Sequence, residues 1–212
     1  MNIIKEIMNK AREYFSEGGT HGWDHTVRVE RLCLHIGEVE KANLFVLSAA
    51  AYLHDIGRKA EEVSRGRLDH AVYGAEIAQP ILEAYPTIPG PDKENILHCI
   101  RTHRFRKNNQ PETIEAKVLY DADKIDAIGA VGIGRAFMFA GKVDAVLHDP
   151  YVNPDLSKPY SSEDTAYREY VVKLSRITDR MLTKEGRKIA VGRDMYMKEF
   201  FKRLNYEVTG HV

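Results

Sequence analysis

The sequence predicts an all-α fold, on three observations. Apolar residues recur at three- and four-residue spacing in one segment after another, and no run of alternating β-branched residues interrupts them. Capping residues, prolines and glycines mark most of the segment ends. The 212 residues have ordinary apolar content, enough to bury a full core, and no repeat or evident linker divides them. We therefore expect a single domain over residues 1–212, with its core at 20–140 and the helices of 161–206 packed on it.

Taken in order, Ile3, Ile4, Ile7, Ala11, Tyr14 and Phe15 share a helical face and predict an opening amphipathic helix that stops at Gly18-Gly19. His21-Gly22-Trp23-Asp24-His25 leads into a second helix, capped near Asp24, with Leu32, Cys33, Ile36 and Val39 inward and His25 in its first turn. Asn43 begins a third. It is apolar almost throughout from Leu44 to Leu53, the pattern of a helix buried on all sides, and Gly57 is its expected stop. A charged loop from Arg58 to Arg67 follows.

Asp69 is placed to cap a helix with Val72, Ala75, Ile77, Ala78 and Ile81 inward, ending before Pro86. Beyond the turn at Pro86 to Pro91, Asp92 is the expected cap of a helix carrying Ile96, Leu97, Ile100 and, near its end, His103. Thr113 opens another, in which Asp121, Asp123 and Asp126 are set among Ala116, Val118, Leu119, Ala122 and Ile125. Helical spacing continues from Gly129 to Gly141. Lys142 to Tyr160, with Pro150, Pro154 and Pro159, reads as a loop long enough to be functional or mobile. Ser161, Ser162 and Asp164 predict the start of a long amphipathic helix reaching Leu182, and Ile189 to Tyr206 make the last.

Acidic and basic residues balance at 31 each, so the net charge gives no reason to expect a nucleic-acid or membrane surface. Arg101, Arg104, Arg106 and Lys107 form one local basic cluster, read as a solvated face with a phosphate entrance as its alternative. Cys33 and Cys99 lie in helical patterns and read as reduced core thiols. No stretch approaches the roughly 20 apolar residues of a membrane span, and the N-terminus lacks the apolar core of a signal peptide, so a cytoplasmic protein is expected.

The chemistry concentrates at His54-Asp55. An ionised aspartate buried at the C-terminal end of a helix is disfavoured twice, by desolvation and by the helix dipole, unless a cation sits beside it. A bound metal ion removes both costs. His25, the pair His54 and Asp55, and an aspartate from Asp121-Ala122-Asp123-Lys124-Ile125-Asp126 are the candidates on buried helical faces. A mixed set of imidazoles and carboxylates suits Mn, Fe, Co, Ni or Mg, and the absence of thiolates argues against structural zinc. A second His-Asp pair, His148-Asp149, is followed by Pro150 in the predicted loop and reads as having no such role. Gly129-x-x-Gly132-x-Gly134 has neither the strand before it nor the Lys-Ser/Thr after it that a phosphate loop needs, and is expected to serve close helix packing.

His25-x-x-Arg28-Val29, Leu53-His54-Asp55-Ile56-Gly57, Asp121-Ala122-Asp123-Lys124-Ile125-Asp126-Ala127-Ile128-Gly129 and Leu182-Thr183-x-x-Gly186-Arg187-x-x-Ala190 together resemble the HD superfamily of metal-dependent phosphohydrolases over nearly the whole chain. The resemblance implies an HD-domain helical bundle with a metal site between its central helices. It makes His25, His54, Asp55 and Asp123 the metal ligands, the last because it directly precedes Lys124. Some members hold a second ion bridged by the HD aspartate. Asp55, His70 and His103 are the corresponding residues here, with His70 and His103 as donors to substrate phosphate in the other reading. Lys124 and Arg28 are expected to meet charge on the phosphoryl group, either having a structural salt bridge as its alternative, and Asp126 to orient a ligand or water, with pairing to a buried base as its other role. In the branch resembling bacterial deoxynucleotide monophosphatases a glutamate stands at position 58. Arg58 replaces it, which puts that substrate in doubt and offers a phosphate-binding group instead.

The function so implied is hydrolysis of a phosphoester, of a nucleotide or another small phosphorylated metabolite, by a metal-activated water, with Asp55, Lys124, Asp126 and His103 at the reacting centre and Arg28, Arg58, His70 and Lys124 on the substrate. One ion or two, and monomer or homodimer, stay open. Two other classes remain: a mixed di-iron oxygenase on the same scaffold, and a non-catalytic nucleotide-sensing protein.

Overall fold

A computed structural model describes residues 2–15, 21–106 and 109–211. Helices dominate, and no strand occurs among the described residues. The chain forms two compact units, Met1–Asp123 and Lys124–Val212.

The first unit opens with α1 (Ile3–Arg12), whose Ile7 and Ala11 are fully buried. It ends at Arg12, sooner than its periodicity suggests; the predicted stop at Gly18-Gly19 lies outside the described residues. α2 (Trp23–Glu40) buries His25, Val29, Cys33 and Ile36 along one stripe. Gly22 holds its cap position, while Asp24 sits in the first turn and accepts from Arg28 Nη1 at 2.6 Å. α3 (Leu44–Leu53) lies between α1, α2 and the later helices, with Val46 to Leu53 all buried. Asn43 caps it, its Oδ1 accepting from the amides of Phe45 and Val46.

Gly57 acts differently from a left-handed helix stop. Its backbone is right-handed (φ −82°, ψ −7°), so the chain turns through residues 54–57 into α4 (Arg58–Val63), a short helix where a loop was expected. What requires glycine is proximity: a Cβ at position 57 would strike the carbonyl oxygen of His70 and the amide nitrogen of Gly74. α5 (His70–Glu83) therefore packs backbone to backbone on the turn that carries His54 and Asp55, with Asp69 Oδ1 capping it through the Ala71 amide at 2.9 Å.

α6 (Gly90–Thr102) packs on α3 and α5 and ends at His103; Pro89 rather than Asp92 takes its cap position. α7 (Ile114–Ile125) starts at Thr113, whose Oγ1 accepts from the Ala116 amide. Buried Glu115 ties α7 to its neighbours, accepting from the Asn43 amide at 2.8 Å and from Asn95 Nδ2 at 2.9 Å. Asp123 lies about two turns further along the same helix. Of the residues read as inward, Val39 and Val72 are exposed, because both lie at the margin of their stripes.

In the second unit α8 (Gly129–Lys142) packs on α9 (Ala166–Val172) and α10 (Lys184–Val208). Gly132 lies so close to the Ala127 carbonyl, in the turn before its own helix, that a side chain there would collide with it, while Gly129 sits against Arg193 of α10 and Gly134 has open space, so of the three glycines expected to serve helix packing only Gly129 meets another helix. The long helix expected from Ser161 is broken. Thr165 caps α9, Lys173 leaves helical geometry at φ −136°, and two single 3-10 turns, Leu174–Arg176 and Thr178–Arg180, carry the chain to α10. Asp164 is spent locally, accepting from the Tyr160 amide and from Arg168. No helix among the described residues is long and apolar enough to cross a membrane.

Candidate metal centre

The turn after α3 presents His54 and Asp55 to the interior of the first unit, both essentially inaccessible to solvent. His54 Nδ1 donates to the Ala51 carbonyl at 2.7 Å, which fixes the tautomer and leaves the lone pair of Nε2 pointing inward. That Nε2 is buried and has no hydrogen-bond partner; Asp55 Oδ2 lies 3.6 Å from it. Around the same point lie His25 Nε2, 3.8 Å from Asp55 Oδ2, and Asp123 Oδ1, 3.4 Å from His25 Nε2. Ligand atoms held about 2.1 Å from one ion are separated by about 3.0–4.2 Å, the range spanned by cis and trans positions. The separations here fit it. His25, His54 and Asp123 therefore form a group able to hold a metal ion, and Asp55 stands beside it.

A second group, Asp55, His70 and His103, uses the other carboxylate oxygen. His70 Nε2 lies 3.1 Å from Asp55 Oδ1, His103 Nε2 lies 3.6 Å from it, and the two imidazole nitrogens are 3.2 Å apart. Each ring is oriented by its other nitrogen: His103 Nδ1 donates to the Ile100 carbonyl at 2.7 Å and His70 Nδ1 to Glu61 Oε2 at 2.6 Å. Glu61 in turn accepts from Arg104 at 2.6 Å. Arg58 enters this group from α4, donating through Nε to Asp55 Oδ2 at 2.8 Å and through Nη2 to Oδ1 at 3.1 Å, and reaching His70 Nε2 at 3.3 Å.

The electrostatics follow. Burial pushes His54 down to about 4 against the opposing pull of Asp55, so its ring is neutral at neutral pH. Burial likewise lowers His103, partly offset by the Asp55 carboxylate beside it. For Asp55 burial works against the charged form, but the nearby His54 and the Arg58 guanidinium, with the His103 and His70 rings beside it, outweigh it, holding the carboxyl well below its usual range. With His54 neutral, Arg58 is the standing positive charge on that carboxylate at neutral pH.

The other sequence candidates lie as follows. Lys124 directly follows Asp123 in α7. Arg28 pairs with Asp24 in the first turn of α2. Asp126, in the second unit, is buried and accepts from Arg135 at 2.7 Å, the pairing with a base that was its other expected role. His148 binds Asn205 Oδ1 at 2.5 Å and Asp149 caps a turn through the Tyr151 amide, in line with the reading of that pair as no ligand set. Of the basic cluster, Arg104 is engaged with Glu61 and Asp69, and Lys107 lies outside the described residues. Trp23 and Tyr52 stack on each other at 5.8 Å. Cys33 and Cys99 are buried and unbridged.

Three participants escaped the sequence reading. His21 Nδ1 comes within 3.8 Å of Asp55 Oδ2 and forms a third group with His25 and Asp55. Its four-residue spacing from His25 was the available signal. Glu61 and Arg104, which orient His70, come from a segment read as a loop and from a cluster read as a solvated face, with no local pattern to connect them.

Helices that bury a His-Asp pair at a turn, surrounded by further imidazoles and a carboxylate, define a metal-binding helical bundle of hydrolase type. The HD domain model matches residues 22–128, and the chain belongs to that family. It is 35% identical over 204 residues to the uncharacterized protein YpgQ of Bacillus subtilis, covering 92% of this chain and 87% of that protein. The crystal structure of B. subtilis YpgQ in complex with ADP superposes with a TM-score of 0.74 at 32% identity, over 97% of this chain and 94% of that one. An HD-superfamily hydrolase from Bacillus thuringiensis gives a TM-score of 0.76 at 26% identity, over 97% and 96% of the two chains. Ribonuclease Y of Chloroflexus aurantiacus is 29% identical over 113 residues, which are 53% of this chain and 20% of that enzyme. The chain thus has the fold of HD-superfamily hydrolases and a histidine and aspartate cluster able to hold a divalent metal.

Proposed function

We propose that this protein is a metal-dependent phosphohydrolase acting on a nucleotide or another small phosphorylated metabolite. The observation that carries the reading is the inward Nε2 of His54, a buried lone pair with its other nitrogen already fixed to a carbonyl and two carboxylates and a second imidazole converging on it. Such an acceptor-rich, desolvated cradle is costly in any protein that does not bind a cation there. His25, His54, Asp55 and Asp123 are the ligands in this reading. A divalent ion in the cradle supplies Lewis acidity, lowering the pKa of a water and polarising a phosphoryl oxygen.

The chain's own groups do the rest. Ala51 and the α3 turn hold His54 in its ligand tautomer. Glu115 holds α7 so that Asp123 faces the imidazoles, and Lys124, its neighbour, brings a cation for charge growing on the phosphoryl oxygens. Arg28 serves the substrate from α2. His103, neutral at working pH, accepts or relays a proton at Nε2 beside Asp55. The ADP held by the related YpgQ supports a nucleotide as substrate.

The test is a screen of purified protein against nucleotides, sugar phosphates and a short RNA with Mn, Co, Ni and Mg in turn, beside a His54→Ala/Asp55→Ala variant. We expect metal-dependent phosphate or pyrophosphate release from a nucleotide, absent in the variant. Turnover of RNA alone would move the substrate to that of ribonuclease Y, and oxygen-dependent chemistry with iron and no phosphate release would replace the reading altogether.

A further inference from the structure

The acceptors of the second group, Asp55 Oδ1, His70 Nε2 and His103 Nε2, are close enough together to share an ion, yet a protein cation already sits among them. Arg58 grips both oxygens of Asp55 in a fork, which a lysine or an ordinary surface contact does not do. The same Nη2 that binds Oδ1 at 3.1 Å is 3.3 Å from His70 Nε2. With Oδ1 and His70 Nε2 themselves 3.1 Å apart, an ion about 2.1 Å from each lies no further than about 4.2 Å from Arg58 Nη2, whichever side it takes. A dication and a guanidinium repel strongly at that range in a buried site.

We propose that Arg58 is this chain's built-in second cation, making the centre mononuclear: one divalent ion at His25, His54, Asp55 and Asp123, and the Arg58 guanidinium in the position a second ion would take. The inference rests on the metal reading above and goes beyond it, since the ligand residues alone leave the number of ions open. It assigns Arg58 a positioning role: it neutralises Asp55, fixes the carboxylate plane so that Oδ2 faces His25 and His54, and occupies the His70 side. Sequence context gave no sign of this, because an arginine three residues after the aspartate reads equally well as a phosphate binder.

The experiment counts ions. Wild-type protein, saturated with Mn(II) and desalted, is analysed for metal per chain by mass spectrometry and for Mn–Mn coupling by electron paramagnetic resonance, beside Arg58→Gln, Arg58→Lys and Arg58→Gln/His103→Ala. We expect one ion and an uncoupled signal in the wild type and in Arg58→Lys, where a cation is restored. Two ions with a spin-coupled signal are expected in Arg58→Gln, and a return to one when His103 is also removed. Two ions in the wild type overturn the proposal while leaving the metal reading intact, as does a single ion in folded Arg58→Gln. If Arg58→Gln does not fold, the wild-type and lysine counts still decide. No ion in the wild type overturns the metal reading and this inference with it.

Discussion

Replacing His54 by leucine separates what the cradle contributes to stability from what it contributes to ion binding. In chelator, the substitution removes a buried acceptor without a partner, a gain of about 1–3 kcal/mol, and loses the Nδ1–H bond to the Ala51 carbonyl, a loss of about 1 kcal/mol plus the exposure of that carbonyl's unmet need. The two changes nearly cancel, so apo stability should move by no more than about 2 kcal/mol, although a fully buried side chain has been replaced. With metal the comparison reverses. An ion at a hundred times its dissociation constant stabilises the wild type by about 2.7 kcal/mol, or about 5–11 °C in Tm for a chain of this size. His54→Leu should lose that shift. Thermal unfolding by circular dichroism, with EDTA and with Mn(II), reads both quantities. A variant that melts far below the wild type in EDTA would refute the idea that His54 is held against a cost, and one that keeps the full Mn(II) shift would refute its place in the cradle.

Other consequences can be checked in the same way. His54 is protonated in the unfolded chain below about 6.5 but only below about 4 when folded, so its contribution to apo stability is complete above 6.5 and is lost as pH falls from 6.5 to 4. Urea unfolding in EDTA should show a loss of about 3 kcal/mol across that window, much reduced in His54→Leu; an identical pH profile in both proteins would contradict the assignment. Gly57→Ala should destabilise by about 2–3 kcal/mol or more, because the new methyl group meets the backbone of His70 and Gly74, which cannot turn aside; unchanged urea unfolding would show that α5 can withdraw freely. Glu115→Ala, far from any ligand contact, should weaken Mn(II) binding in isothermal titration by about 10-fold by releasing α7 from Asn43 and Asn95, and unaltered affinity would mean that Asp123 is positioned by something else.

How much of this was legible in the sequence differs from residue to residue. Asn43, Asp69 and Thr113 were readable as helix starts because a cap is a local contract between a side chain and amides two or three residues on. The breaks at Arg12 and Lys173 were not, since an apolar stripe continues past them. Gly57 was noticed for the wrong property: its flexibility suggested a stop, whereas the fold uses its lack of a side chain.

By itself the sequence determined that the protein is helical, that His54 and Asp55 are buried at the end of its most apolar segment, and that His25 and three aspartates of residues 121–126 lie on helices; the choice of Asp123 came from the resemblance to the HD superfamily. These follow from periodicity and local motif, which depend on neighbours a few positions away. Only the tertiary structure decided that His70 is oriented by Glu61, that His21 approaches Asp55, that Asp126 is taken by Arg135, and that Arg58 grips both oxygens of Asp55. Each of these is a choice among several possible partners for one charge. Coulombic preference is the same for all of them, and only packing fixes which one stands near enough.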